Sequence, residues 1–223
     1  MDSGGLHGKK FIASYSGGKD GLLAVYRAID AGLVPAGLIT TYNTDAGRSW
    51  FHGVSEGMFR AVSESLALPV TLIRTSGEAY AANFEKALAA AKSNGAEVCV
   101  FGDIDIEGHF EWCAARCANT GLTPYFPLKG EARKKAVYEL IDLGFKAIIA
   151  IVDTSRMPEK FLGEVLTRET ADAIEACGAD ICGENGEYHT FVFDGPLFSQ
   201  PVGFTVAGAE KRDKYAFLKI ESP

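Results

Sequence analysis

The sequence carries no excess of basic residues: Lys and Arg number 22 against 29 Asp and Glu, for a formal net charge of −7. Proteins that grip tRNA or DNA neutralise phosphates with clustered Lys and Arg, so this balance argues against nucleic acid as the main partner. Long apolar runs are missing too. A run such as FKAIIAIV at 145–152 falls far short of the ~20 residues that cross a bilayer. The opening MDSGGLHGKK is polar and Gly-rich and has no h-region, which reads as no secretory signal, and a soluble, cytoplasmic chain is expected. No CxxC pair occurs, and five cysteines is an odd number, so a disulfide framework is not expected. Cys113 and Cys117 stand four apart on one helical face. Core packing accounts for them more simply than metal ligation, which would need further ligands.

What is present is core material. With 47% hydrophobic residues in 223, the chain can bury a sizeable interior, as one large domain or a larger and a smaller one. Apolar β-like runs alternate with helical patterns through the first half. KFIASY precedes a helix carrying Leu22, Val25, Tyr26 and Ile29; PAGLITTY precedes one with Met58, Val62 and Leu66. PVTLIRT leads into an Ala-rich helix that stops at Asn94-Gly95, and EVCVFGD leads into HFEWCAARCANTGL. Strand–helix alternation with near-continuous apolar strands predicts an α/β fold with a parallel sheet. Right-handed crossovers then put the loops after each strand along one sheet edge. Beyond about Thr123 the pattern changes to helices and then three β-like runs, YHTFVFDGP, VGFTVAG and KYAFLKIE. Two domains are expected: 1–125, and a smaller α+β domain at 126–223, with the boundary between Leu122 and Glu131. His7 is placed in a mobile tail.

After the first apolar run stands S-G-G-K-D-G, residues 16–21. It is not a Walker A loop, because Asp20 follows Gly18-Lys19 and Ala13 holds the first glycine's place. The G-x-G-x-x-G fingerprint fails too, since Gly17 and Gly18 are adjacent. Adjacent glycines at a helix N-terminus still let backbone amides approach an anion, and Ser16 and Lys19 add a hydroxyl and a point charge. Asp20 would repel phosphate. It makes sense as a Mg²⁺ partner, a brace for Lys19 or a carboxylate at the helix start. GDIDIEGH places Asp103 and Asp105 just past the fourth strand, on the same sheet edge, with Asp103 the better candidate for nucleotide or metal. His52, in RSWFHGV, shares that edge and reads equally as a ligand contact or a structural histidine. His109 is a weaker version of the same. Further on, in CGADICGENGEYHTFVFDGPLF, Glu184 and Glu187 flank the turn-forming Asn185-Gly186, with His189 following.

The first motif resembles the SGGKDS loop of the N-type ATP pyrophosphatases, or PP-loop family, with Gly21 in place of serine. The second is similar to the GENGE-HTF-DGP signature of the diphthine–ammonia ligase family, a branch of that superfamily. VFGDI, GLTPYFPL and LGFKAIIAIV recur in the same order, so the resemblance runs from about residue 10 to about 200. One departure is Lys129, where the family commonly has tryptophan after Pro-Leu. The resemblance implies a Rossmann-like, HUP-type PP-loop domain followed by a smaller domain with the glutamate turn. It implies that Ser16, Gly17, Gly18, Lys19 and Asp20 hold the leaving pyrophosphate of ATP; Gly21, Gly102, Asp103 and His52 are expected as further nucleotide-binding residues, and Asp20 and Asp103 as Mg²⁺ ligands, from their places at the same sheet edge. It further implies that Lys19, Asp20, Glu184, Glu187 and His189 serve catalysis, in which a carboxylate is adenylated with loss of pyrophosphate and then amidated by ammonia. The acceptor would be diphthine on elongation factor 2 or, in an organism lacking it, another carboxylate such as a small molecule. The rest of the chain leaves no room for a glutaminase, so free ammonia or a partner would supply nitrogen. No membrane partner is implied, and a homo-oligomer is left open. A tRNA-modifying PP-loop enzyme and a non-catalytic nucleotide sensor remain as alternatives. The first would favour basic patches and a reactive cysteine pair, and the second would have no use for Glu184 and Glu187 on a turn.

Overall fold

A computed structural model describes residues 5–45, 47–49 and 52–223. Trp50 and Phe51 of the RSWFHGV stretch, and the first four residues of the opening segment, lie outside that description. The chain divides into two compact units. The first comprises Met1–Ser16, Asp20–Trp50 and Leu68–Glu131; the second comprises Gly17–Lys19, Phe51–Ala67 and Ala132–Pro223.

The first unit is built on strands β1 (Lys10–Ser14), β2 (Val34–Asn43), β3 (Arg48–Ser49), β4 (Val70–Thr75), β5 (Val98–Val100) and β6 (Thr123–Tyr125). β1 pairs in parallel with both β2 and β5, so that Ala13 lies opposite Leu38 on one side and Val100 on the other. β4 pairs in parallel with β2, and β6 with β5. The parallel order β4-β2-β1-β5-β6 thus reverses direction between β1 and β5, and at such a switch point the loops after the two strands diverge and leave a crevice for ligands. Among the described residues of this sheet, only the short β3 runs antiparallel, folded back on the end of β2. Continuous apolar runs make these central strands: Phe11, Ala13, Val98, Cys99 and Val100 are fully buried, as expected where a parallel sheet is covered.

Helix α1 (Lys19–Asp30) carries an acid in its first turn, Asp20, and a base in its last, Arg27, each matching the helix dipole. Helices α3 (Tyr80–Ser93) and α4 (Glu107–Thr120) complete the first unit. Phe84, Leu88, Cys113 and Cys117 from these helices form a core with Ile12, Ile39, Ile73 and Cys99. Burying each large apolar side chain contributes about 1.5–3 kcal/mol. All five cysteines are free thiols, and Cys113 and Cys117 pack in this core as their spacing suggests. His7 does not trail in a tail: its ring packs over the turn at Gly32, and the Gly8 amide donates to Gly32 O (2.8 Å).

The second unit holds α2 (Glu56–Leu66), α5 (Arg133–Asp142), α6 (Arg168–Ala176) and a four-stranded antiparallel sheet. Its strands are β7 (Lys146–Asp153), β8 (Tyr188–Asp194), β9 (Thr205–Arg212) and β10 (Tyr215–Glu221), in the order β8-β7-β10-β9. Ser55 caps α2 and Thr167 caps α6, each side chain accepting from an amide three residues on. Among the described residues, no helix is long and apolar enough to cross a membrane.

Candidate active site

The S-G-G-K-D-G loop emerges from β1 and enters α1. Its backbone course depends on two glycines. Gly17 has φ +101°, a region that strains any residue with a Cβ. Gly18 lies under the imidazole of His52, where a methyl group would sit 2.3 Å from Cε1. The third glycine is different. A methyl on Gly21 would meet Ser14 O and Tyr15 at 3.5 Å, an ordinary contact, so the position accepts a side chain such as the serine of the related signature.

Within the second unit the loop residues are stitched to β8. Val192 N donates to Gly17 O (2.9 Å), and Lys19 N donates to Thr190 Oγ1 (3.1 Å). The Lys19 side chain is 5% exposed. Its ammonium donates to the carbonyl of Cys182 and lies over the Tyr188 ring, 5.3 Å from the centroid. A carbonyl and a π face both receive a buried ammonium favourably and offset part of its desolvation.

His52 Nδ1 lies 2.7 Å from Thr190 O. A carbonyl only accepts, so Nδ1 must be the protonated nitrogen. Burial, the neighbouring His189 and Lys19 hold the His52 pKa well below the usual imidazole range, against the opposing Thr190 hydrogen bond. The ring is therefore neutral at pH 7. His189 meets it edge-on, with centroids 5.0 Å apart.

Residues 180–187 form a compact turn. Asp180 accepts from Cys182 N and Glu184 N, both at 3.0 Å, and pairs with Arg133. Gly183 is in the left-handed region with its Cα against Tyr188 O, and the Tyr188 hydroxyl donates to Ile181 O (2.6 Å). Glu184 is half-buried. Glu187 is 6% exposed, and its two oxygens accept from the backbone amide and the side-chain amide of Asn185, each at 3.2 Å.

In the first unit, Ser16, Asp20, Gly21, Gly102 and Asp103 gather at the switch point. Gly102 comes so close to α1 that a methyl there would lie 2.6 Å from both Asp20 C and Gly21 N. Asp103, at the end of the β5 loop, accepts from His109 Nδ1 (3.0 Å). Burial pushes the Asp103 carboxyl above its usual pKa and the charge on Asp20 adds to this, with His109 opposing. A buried carboxyl raised in this way, with a second carboxylate acting on it, is a kind of oxygen donor that a hard divalent cation would relieve, so Asp103 with Asp20 fits Mg²⁺. The loop's glycine backbone, buried lysine and helix N-terminus fit a triphosphate. Lys129, at the departure from the family pattern, places its ammonium 4.0 Å from the Phe110 ring centroid and 3.8 Å from Glu107.

Comparison with known proteins supplies the decisive observation. Residues 9–124 match the diphthamide synthase N-terminal domain, and residues 132–222 match the diphthamide synthase C-terminal domain. The chain belongs to the diphthamide synthase family. Among relatives, the diphthine–ammonia ligase of Mus musculus is 33% identical over 108 residues, 47% of this chain and 40% of that protein. The diphthine–ammonia ligase of Danio rerio is 34% identical over 90 residues, 39% of this chain and 35% of that one. The matches span about two fifths of the length of these curated relatives. A crystal structure titled as a predicted subunit of a tRNA methyltransferase from Methanocaldococcus jannaschii is similar over 86% of this chain and 100% of its own. At 14% identity and a TM-score of 0.47, that likeness is too loose to carry an argument.

Within this diphthamide synthase fold, Ser16, Gly17, Gly18, His52, Gly102, Asp103, Glu184 and Glu187 lie in loops, Lys19 and Asp20 open helix α1, and His189 is the second residue of β8. The sequence reading did not single out Thr190, which receives the Lys19 amide, or Asp180, which ties the turn. Nor did it single out Arg156, whose Nη1 donates to Asn185 O (2.9 Å).

Proposed function

We propose that the protein is an ATP-dependent amide-forming ligase of the diphthine–ammonia ligase type, working in the cytoplasm. What supports this most is the join between two motifs: the buried Lys19 of the SGGKD loop donates to the Cys182 carbonyl, at the head of the GENGE turn. In this reading the loop from Ser16 to Asp20 receives the β,γ-phosphates of ATP. Its amides and Lys19 face the charge that gathers on pyrophosphate as it leaves. Asp20 and Asp103 would hold Mg²⁺, which would supply charge neutralisation along the triphosphate.

A carboxylate is a poor electrophile at neutral pH. When its oxygen attacks the α-phosphorus, the bond to pyrophosphate breaks and an acyl-adenylate forms. Ammonia then attacks the acyl carbon, AMP leaves with the original oxygen, and the nitrogen sheds its extra proton to a base. In this reading Glu184 binds the cationic end of a diphthine-like substrate or takes that proton. Neutral His52 covers Gly18, and His189 packs against it. Diphthine on elongation factor 2 is the acceptor proposed, with free ammonium as nitrogen donor.

Pyrophosphate release tests the reading. With ATP, Mg²⁺, ammonium and diphthine-bearing acceptor, Lys19→Ala should lose pyrophosphate release by about a hundredfold or more. Glu184→Gln should retain ATP binding but form little amide. Retention of pyrophosphate release in Lys19→Ala would refute the assignment, and ADP as product would point to a different reaction.

A further inference from the structure

The carboxylate of Glu187 is held by the turn that carries it, and this bears on its role. Glu187 is folded back on its own turn. Oε2 accepts from Asn185 N and Oε1 from Asn185 Nδ2, while Arg156 Nη1 lies 3.8 Å from Oε1. The Glu187 carbonyl accepts from Asp153 N (2.8 Å), which fixes the residue to the end of β7 from its backbone side as well.

Arg156 is the other half of this frame. It bridges two partners on the turn, Asn185 O and the Glu187 carboxylate, while its Nε faces Asp153 Oδ2 at 3.5 Å. Asp153 is itself immobilised. Its side chain is 1% exposed, Oδ1 accepts from the amide (3.0 Å) and hydroxyl (2.6 Å) of Ser155, and Oδ2 accepts from Lys214 (2.7 Å). Burial pushes the Asp153 carboxyl up, but the bonds from Lys214 and Ser155 more than offset this and keep it below the usual carboxylate range. The guanidinium is thus a planar fork anchored on a buried, ionised carboxylate at the end of a strand and aimed at the tip of the turn.

We infer that Arg156 is a positioning residue for the amide-forming step, acting through Glu187 to hold the 183–187 turn, so that Glu187 serves as a brace and not as the reacting carboxylate. The inference rests on the ligase reading above. A carboxylate whose two oxygens both accept from its own turn is a brace, and withdrawing it to serve a substrate would break both bonds from Asn185. An error of about 1 Å in the turn's placement can cost about a hundredfold in rate.

The test uses the full chain with Arg156→Ala, Arg156→Lys, Glu187→Gln and Glu184→Gln. Kinetics with ATP, ammonium and acceptor give kcat and the KM for each substrate, and amide hydrogen exchange is followed at Asn185 and Asp153. Arg156→Ala should lower kcat about ten- to hundredfold, leave the KM for ATP within about twofold and speed exchange at Asn185. Added guanidinium ion should restore part of the rate. Arg156→Lys should stay impaired, because a point charge cannot bridge both partners. Glu187→Gln keeps an acceptor for Asn185 and should outperform Glu184→Gln, whose exchange at Asn185 should match the wild type. Unchanged exchange in Arg156→Ala, a parallel rise in the KM for ATP, or Glu187→Gln being the more damaged of the two would overturn the inference. If the wild-type chain forms no amide and releases no pyrophosphate, the ligase reading fails. Exchange at Asn185 then still decides whether Arg156 holds the turn.

Discussion

At the scale of single residues, the loop's glycines do different work, and substitution should separate them. Gly18 has no room for a methyl under His52, so Gly18→Ala should destabilise the fold by about 1–3 kcal/mol through overpacking. Gly21 stands in the first turn of α1 with ordinary clearance, so Gly21→Ala should stabilise by about 0.5–1 kcal/mol, the usual gain over glycine in a helix. Chemical denaturation midpoints of the two variants check both signs.

His52 makes a second prediction at this scale. Its pKa is depressed in the fold by burial, His189 and Lys19. Above the ordinary imidazole value of 6.5 both states are neutral and the stabilising contribution is complete. As pH falls below that value the unfolded chain takes up a proton that the folded one refuses, and stability is lost until the folded-state pKa is reached. The loss is at most about 1.4 kcal/mol per pH unit in that window. The stability difference between wild type and His52→Gln, measured from pH 7.5 to 5, should therefore shift against the wild type on acidification. A flat difference would contradict the assignment of a neutral ring.

At the scale of elements, the approach of the β5 loop to α1 is the feature most easily probed. A methyl on Gly102 would press on the backbone of Asp20 and Gly21, which cannot yield as a side chain tip would. Gly102→Ala should cost about 1–3 kcal/mol and weaken ATP binding, read by calorimetry, whereas a silent substitution would mean the helix start is not fixed there. The elements themselves were largely legible. Periodic apolar residues mark α1 and α2, an Ala-rich stretch marks α3, and near-continuous apolar runs mark β1, β2 and β5, because burial on both faces of a parallel sheet leaves that pattern in the chain. β6 was harder: it has three residues and includes Pro124, and it falls in the stretch from Leu122 to Glu131 where the domain boundary is read. β9 lies further along than VGFTVAG suggests, at Thr205–Arg212, where nearly every residue is exposed and burial leaves no alternation to read. The membership of α2 in the second unit was not legible either, since it depends on contacts such as Ser65 with Ser199 and Gln200, far along the chain.

At the scale of the whole molecule, the candidate site was legible where residues are adjacent in sequence and invisible where they are not. SGGKD and GENGEYH stand out as short runs of chemistry-bearing residues. The partners that orient them, Thr190 for the Lys19 amide and Arg156 for the turn, are joined only by folding, across 171 and 29 residues. A lone Arg carries no local signal of such a role, and Thr190, though it stands in the HTF stretch, carries none of its pairing with the Lys19 amide. The acidic balance of the chain, net −7, adds a reason for the divalent cation, since a triphosphate must approach Asp20 and Asp103. The account's central claim is that the Ser16–Asp20 loop grips the β,γ end of ATP while a carboxylate oxygen attacks the α-phosphorus. Isotope transfer tests it most directly: an acceptor carboxylate labelled with ¹⁸O is converted to amide by the wild-type chain, and the nucleotide product is analysed by mass spectrometry. The account predicts AMP carrying one ¹⁸O on its phosphate, in step with amide formed; unlabelled AMP, or ADP with labelled inorganic phosphate, would contradict it.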